Sequence, residues 1–119
     1  MRRLLPLLAL CSSLAALAAG CGDSDRGGSA QALGAGDVIG MKALHFKPDH
    51  VQVPVGQKIT WKNDESVPHD VKADSGADFA SKTFGKDGTY AFTPTTAGTI
   101  KYECTLHPGM DGTIDVVAK

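Results

Sequence analysis

The chain of 119 residues predicts an all-β fold, a small sandwich or barrel of short strands. Three observations carry that reading. Apolar residues recur at every second position, the period of a strand that buries one face. Turn-forming residues separate these segments at short intervals. No window sustains the period of an amphipathic helix, and residues 74–84 are the least regular of all.

Residues 1–20 read as an export signal. Arg2 and Arg3 precede an apolar stretch from Leu4 to Ala19, broken by Pro6 and by Ser12 and Ser13. That stretch is too short and too rich in small residues to be a membrane span. The run Leu17-Ala18-Ala19-Gly20-Cys21 resembles a bacterial lipoprotein signal, with Ala18 where such signals usually carry Leu. The resemblance implies cleavage before Cys21 and a diacylglycerol on its sulfur, which would hold the protein to a membrane. A secreted soluble form, cleaved nearby, is the alternative. Residues 21–36 are mostly Gly, Ser, Ala, Asp and Gln, the composition of a flexible tether. Residues 37–119 remain for one folded domain, enough for a single core.

Within that domain the strand signals follow in order. Met41 to Phe46 and Val51 to Val55 come first, then Ile59 and Trp61 alternating with polar neighbours. Tyr90 and Phe92 flank Ala91. Ile100, Tyr102 and Cys104 alternate with Thr99, Lys101 and Glu103, and Ile114 and Val116 with Thr113 and Asp115. Turns are expected at Lys47-Pro48-Asp49, Val55-Gly56, Lys86-Asp87-Gly88 and Ala97-Gly98. The phase of the Ile100 strand turns Cys104 inward, beside Ile100 and Tyr102.

Charge excludes one class of partner. The formal net charge is −1, with no basic stripe, which argues against nucleic acid. Cysteine usage is more pointed. With Cys11 in the signal and Cys21 lipidated, Cys104 stands alone, so no disulfide can staple the exported domain. A lone thiol in an oxidising compartment needs protection, which metal coordination supplies.

The densest chemistry lies in Cys104-Thr105-Leu106-His107-Pro108-Gly109-Met110, with His69 far upstream. A thiolate, two imidazoles and a thioether form a donor set that accepts copper in both oxidation states: two His and a Cys in a plane, and Met as a weak axial ligand. Pro108 and Gly109 forbid a helix between His107 and Met110 and dictate a tight turn. Taken singly, His69 reads as a surface or core histidine, Met110 as core filler and Cys104 as a small buried hydrophobe. Zinc is the competing metal, but its structural sites usually offer more than one Cys. His45 and His50 read as solvated histidines beside turns, and Met41 as strand packing.

These residues carry a wider resemblance. Phe46-Lys47-Pro48, Val55-Gly56, Trp61-Lys62-Asn63-Asp64, Pro68-His69-Asp70, Gly98, Tyr102-Glu103-Cys104 and His107-Pro108-Gly109-Met110 running into Gly112-Thr113-Ile114 are similar to the plastocyanin and amicyanin group of cupredoxins. The three-residue steps between Cys104, His107 and Met110 resemble the short ligand loop of amicyanin. The resemblance implies a Greek-key β-sandwich of about eight strands with one type 1 copper ion at one end. Its ligands would be His69, Cys104, His107 and Met110. It also implies one-electron transfer between redox proteins at the cell envelope, on the periplasmic or extracellular side, and no enzymatic activity; we expect a monomer. Partners would dock near His107, inside an apolar collar of Pro68, Leu106, Pro108 and Gly109.

Two residues depart from the family pattern. Asp70 stands where Asn is usual, and can accept a hydrogen bond from Thr105 but not donate one. As a carboxylate near copper it would favour Cu(II). Leu106 stands where Pro is frequent, and keeps an N–H that can reach the Cys104 sulfur and favour Cu(I). The rival function on the same scaffold is an extracytoplasmic copper carrier or chaperone. A binuclear copper domain would need a second Cys on the loop.

Overall fold

The computed structural model describes residues 29–119. The export signal, Cys11, Cys21 and the first part of the tether lie outside the described residues. Nine strands follow: β1 (Gln31–Ala32), β2 (Val38–Lys42), β3 (His45–Lys47), β4 (His50–Pro54), β5 (Ile59–Asn63), β6 (Lys72–Ser75), β7 (Thr89–Phe92), β8 (Gly98–Glu103) and β9 (Asp111–Val117). They form two sheets, one ordered β1-β4-β9-β8-β6 and the other β3-β2-β5-β7. The architecture is an all-β sandwich, as expected.

The alternation in the sequence is the alternation of burial. Ile59, Trp61 and Asn63 of β5 point inward while Thr60 and Lys62 are only partly covered. Ile114 and Val116 of β9, Val51 and Val53 of β4, and Ile100 and Tyr102 of β8 supply the opposing face. Each such aliphatic side chain contributes roughly 1.5–3 kcal/mol on burial. Aromatic rings fill the middle. Tyr102 meets Phe46 edge-on at 4.7 Å and Trp61 at 5.3 Å. Tyr102 can lie there because its partner across the β8–β9 register is Gly112; a Cβ at Gly112 would run into the Tyr102 ring.

Two expectations need correction. Met41 to Phe46 is not one strand but a hairpin, with β2 ending at Lys42 and β3 starting at His45. Ala43 and Leu44 make the turn in left-handed conformations, φ 53° and 60°, where Asn and Gly are the usual occupants. Neither residue type announces such a turn. The tether is shorter than its composition indicated. Gln31–Ala32 pairs parallel with β4, and Leu33 is 6% exposed. The Leu33 N–H donates to the Gln52 carbonyl at 3.0 Å, and its own carbonyl accepts from Gln57 Nε2 at 2.6 Å. One apolar residue in a polar stretch is enough to pull the boundary of the folded domain forward from residue 37.

His50 also differs from a freely solvated side chain, since its Nε2 lies 2.8 Å from Asp115 Oδ2. In the irregular region, Phe79 is buried. Bridges Lys72↔Ala80 and His69↔Phe84 sew that loop to the sandwich. The last of these matters for function, because it fixes His69 at the end of the sandwich where β8 leaves and β9 begins.

Candidate metal centre

The loop between β8 and β9 is closed at its base and tight at its tip. The Cys104 N–H donates to the Met110 carbonyl at 2.9 Å, and the Met110 N–H to the His107 carbonyl at 3.1 Å. The second bond spans Pro108 and Gly109, and Gly109 has φ 87°. Pro followed by a left-handed Gly is the signature of a type II turn. Cys104 and Met110 are each 2% exposed, so both sulfur-bearing side chains of the loop turn into the protein.

The facing segment is held as firmly. His69 exchanges backbone hydrogen bonds with Phe84, at 3.1 Å and 2.8 Å. Buried Asn63 donates through Nδ2 to the carbonyls of Val67 at 2.8 Å and Phe84 at 3.1 Å, and its Oδ1 accepts from the Glu65 N–H at 2.9 Å. A buried amide with its donors and acceptor engaged rigidifies the loops around it.

These two frames bring three of the expected side chains together. One ligand atom each from His69, Cys104 and His107 lie within 4.8 Å of one another. His69 Nδ1 is 3.7 Å from Cys104 Sγ, and the two imidazole rings meet edge-on with centroids 4.9 Å apart. His69 is fully buried. His107 is half-buried, and its Nε2 lies 3.2 Å from the Pro68 carbonyl. Pro68, Leu106, Pro108 and Gly109 around it are exposed.

The residues flanking the ligands also meet. The Thr105 N–H donates to Asp70 Oδ1 at 2.7 Å, and the Thr105 hydroxyl donates to Asp70 Oδ2. Asp70 therefore ties the two loops together as an acceptor only. Burial pushes the Cys104 thiol upward in pKa. The backbone N–H groups of Asp70 and Leu106 pull it back, and the Asp70 carboxylate adds to the rise. The net effect is upward. A thiol so placed ionises readily only when a cation takes the proton's place.

Glu65 was not singled out from the sequence. Its Oε1 lies 2.6 Å from His69 Nε2, and its carboxylate accepts from the N–H groups of Ala43 at 2.9 Å and Leu44 at 3.1 Å. Partial burial alone would raise its pKa. The Leu44, His69 and Ala43 hydrogen bonds outweigh burial and hold it below the ordinary carboxylate range. The available signal was a carboxylate four residues before a candidate metal-binding histidine, since such histidines usually donate their second N–H to one.

The donor set fits copper. Two imidazoles and one buried thiol converge, with a buried thioether on the same loop, a mixture of soft and borderline donors suited to Cu(I) and Cu(II) alike. Among the described residues no second thiol approaches, as a typical structural zinc site would have.

Comparison with known proteins agrees. The family described as copper binding proteins, plastocyanin/azurin family, matches residues 35–117. Amicyanin of Paracoccus denitrificans is 34% identical over 83 residues, covering 66% of this chain and 63% of that protein. The chain thus spans a little under two thirds of that relative. Amicyanin-alpha of Methylorubrum extorquens is 32% identical over 113 residues, covering 92% of each. Plastocyanin of Sambucus nigra is 38% identical over 79 residues, covering 56% of this chain and 80% of the plastocyanin. Among solved structures, an oxidized single-substitution mutant of amicyanin superposes with a TM-score of 0.63 at 32% identity, covering 67% of this chain and 80% of that one. A match running from ahead of β2 to the end of β9, together with the copper-suited cluster at the end of the sandwich, means that the chain belongs to the plastocyanin/azurin family of copper-binding proteins.

Proposed function

We propose that this protein carries single electrons between redox proteins at the cell envelope, using one type 1 copper ion held by His69, Cys104, His107 and Met110. The observation that carries the reading is the convergence of His69, Cys104 and His107 within 4.8 Å, on two loops that hydrogen bonds lock independently. Bound copper supplies a one-electron couple. The protein supplies a fixed frame, so that neither oxidation state requires the loops to rearrange. Asn63 and the Phe84 bridge hold His69; the type II turn holds His107 and Met110; burial keeps water from Cys104. The half-buried His107 gives the electron a short path to the surface, and its exposed apolar collar suits a small, transient docking contact.

Copper is the protein's cofactor by family; its use for electron transfer, not delivery, is the step proposed. Export, a lipid anchor at Cys21, a monomeric state and the absence of enzymatic activity belong to the same reading. A copper carrier must release its cargo, whereas this site is enclosed on two braced loops. Repeated cycles of ascorbate reduction and reoxidation in the presence of a competing Cu(I) chelator test the difference. Retention of copper through the cycles supports electron transfer. Quantitative loss of copper on reduction would favour delivery.

A further inference from the structure

Glu65 stands apart from every other carboxylate in the described residues, because one side chain serves both a candidate copper ligand and a strained turn. Its Oε1 is 2.6 Å from His69 Nε2 and 3.1 Å from the Leu44 N–H, while Oε2 is 2.9 Å from the Ala43 N–H. Ala43 and Leu44 both adopt left-handed conformations, costly for residues with side chains beyond Cα and tolerated where surrounding contacts over-determine them. The Glu65 backbone is fixed in turn by Asn63 Oδ1 at 2.9 Å. Its carboxylate is thus anchored from behind and clamped by two N–H groups in front, which leaves little freedom to drift from His69.

We propose that Glu65 is the positioning residue of the copper centre: it fixes the tautomer and ring orientation of His69 and tethers that ligand to the β2–β3 turn. An ionised carboxylate only accepts hydrogen bonds, so the short contact places the imidazole proton on Nε2. That leaves the Nδ1 lone pair facing Cys104 Sγ, 3.7 Å away. A carboxylate behind the ring also raises the basicity of the ligand nitrogen, which favours Cu(II) over Cu(I). The proposal rests on copper binding at His69, but its first consequence concerns the metal-free protein.

Two measurements test it, each with its own failure. In metal-free protein, nitrogen NMR of the His69 ring should show the Nε2–H tautomer in the wild type and its loss or mixing in Glu65→Leu, whose side chain has no acceptor. The same tautomer in both proteins, whichever it is, would overturn the proposal, whatever copper does. In copper-loaded protein, Glu65→Gln should weaken Cu(II) binding about 10- to 100-fold with a smaller loss for Cu(I). The reduction potential then rises, by about 59 mV for each tenfold change in the ratio. The double substitution Ala43→Asn, Leu44→Gly supplies residues that adopt the turn unaided, and separates the two duties of the carboxylate. If Glu65→Gln shifts the potential equally in that background, Glu65 acts on His69 directly. If the shift vanishes there, Glu65 acts only through the turn and the positioning role is wrong. A wild type that binds no copper would contradict the functional reading and leave the tautomer measurement standing as the test.

Discussion

At the scale of single residues, the site balances two opposed influences on Cys104. The Asp70 carboxylate disfavours negative charge on the sulfur, and the N–H groups of Asp70 and Leu106 favour it. Asp70→Asn removes the carboxylate charge and should raise the reduction potential. Leu106→Pro removes one N–H donor and should lower it. Each shift should be some tens of millivolts, given that about 59 mV corresponds to a tenfold change in relative affinity for a one-electron couple. Voltammetry checks both, and two unshifted variants would show that neither group reaches the sulfur electronically. Asp70→Asn has a structural cost as well. An amide offers one acceptor oxygen where the carboxylate now receives both the N–H and the hydroxyl of Thr105. That loss should destabilise the protein by about 1 kcal/mol, measured by urea unfolding of the metal-free form.

At the scale of elements, legibility followed the physics of burial. The alternation of Ile100, Tyr102 and Cys104 announced the inward face of β8, and Pro108-Gly109 announced the turn that closes the ligand loop. Donor chemistry and spacing singled out His69, Cys104 and His107, which converge within 4.8 Å, and Met110, which is buried on the same loop, because these side-chain types are uncommon together and each type has a defined chemistry toward a metal. The Ala43–Leu44 turn and the strand at Gln31–Ala32 were illegible because tertiary contacts impose them against local preference. Glu65 grips the first, and the buried Leu33 and Gln57 hold the chain beside the second. Glu65 itself lacked any mark in the sequence beyond its distance from His69. Between β8 and β9 the tightest fit is at Gly112. Gly112→Ala would force a methyl group against the Tyr102 ring, and overpacking of this kind costs roughly 1–3 kcal/mol. Thermal unfolding should show that loss, and an unchanged midpoint would mean the ring can move aside.

Strand pairing also carries a pH signature. His50 on β4, Thr99 on β8 and Asp115 on β9 are joined by hydrogen bonds of 2.8 Å and 3.1 Å to the Asp115 carboxylate. Asp115 has its pKa lowered, first by the His50 hydrogen bond, against the opposing effect of burial. A carboxylate whose folded pKa is depressed contributes stability above its unfolded pKa and loses it as pH falls through the folded value. The effect therefore belongs to the acid side, below the ordinary carboxylate range. Because both partners are about one third exposed, solvent screening limits it to less than about 1 kcal/mol. Asp115→Asn should flatten the fall in stability on the acid side, and an identical acid limb in the variant would exclude Asp115 as a contributor.

At the scale of the whole molecule, the sandwich and the metal centre depend on each other. The ligand loops are closed by backbone hydrogen bonds that exist only in the folded chain, so copper binds the native state in preference to the unfolded one. Copper should therefore raise the unfolding midpoint, by the equivalent of about 4 kcal/mol at a thousandfold excess over the dissociation constant. Removal of the ion should lower the midpoint and leave the far-ultraviolet β signal in place, because strand pairing and the aliphatic and aromatic side chains between the sheets hold the sandwich together. The decisive measurement for electron transfer at this site is the visible spectrum of the copper-loaded protein before and after ascorbate. An intense blue thiolate-to-copper band should bleach on reduction, return on reoxidation, and be absent in Cys104→Ala. Bound copper without that band would contradict that function, because Cys104 would then not be the strong ligand on which electron transfer through this site depends.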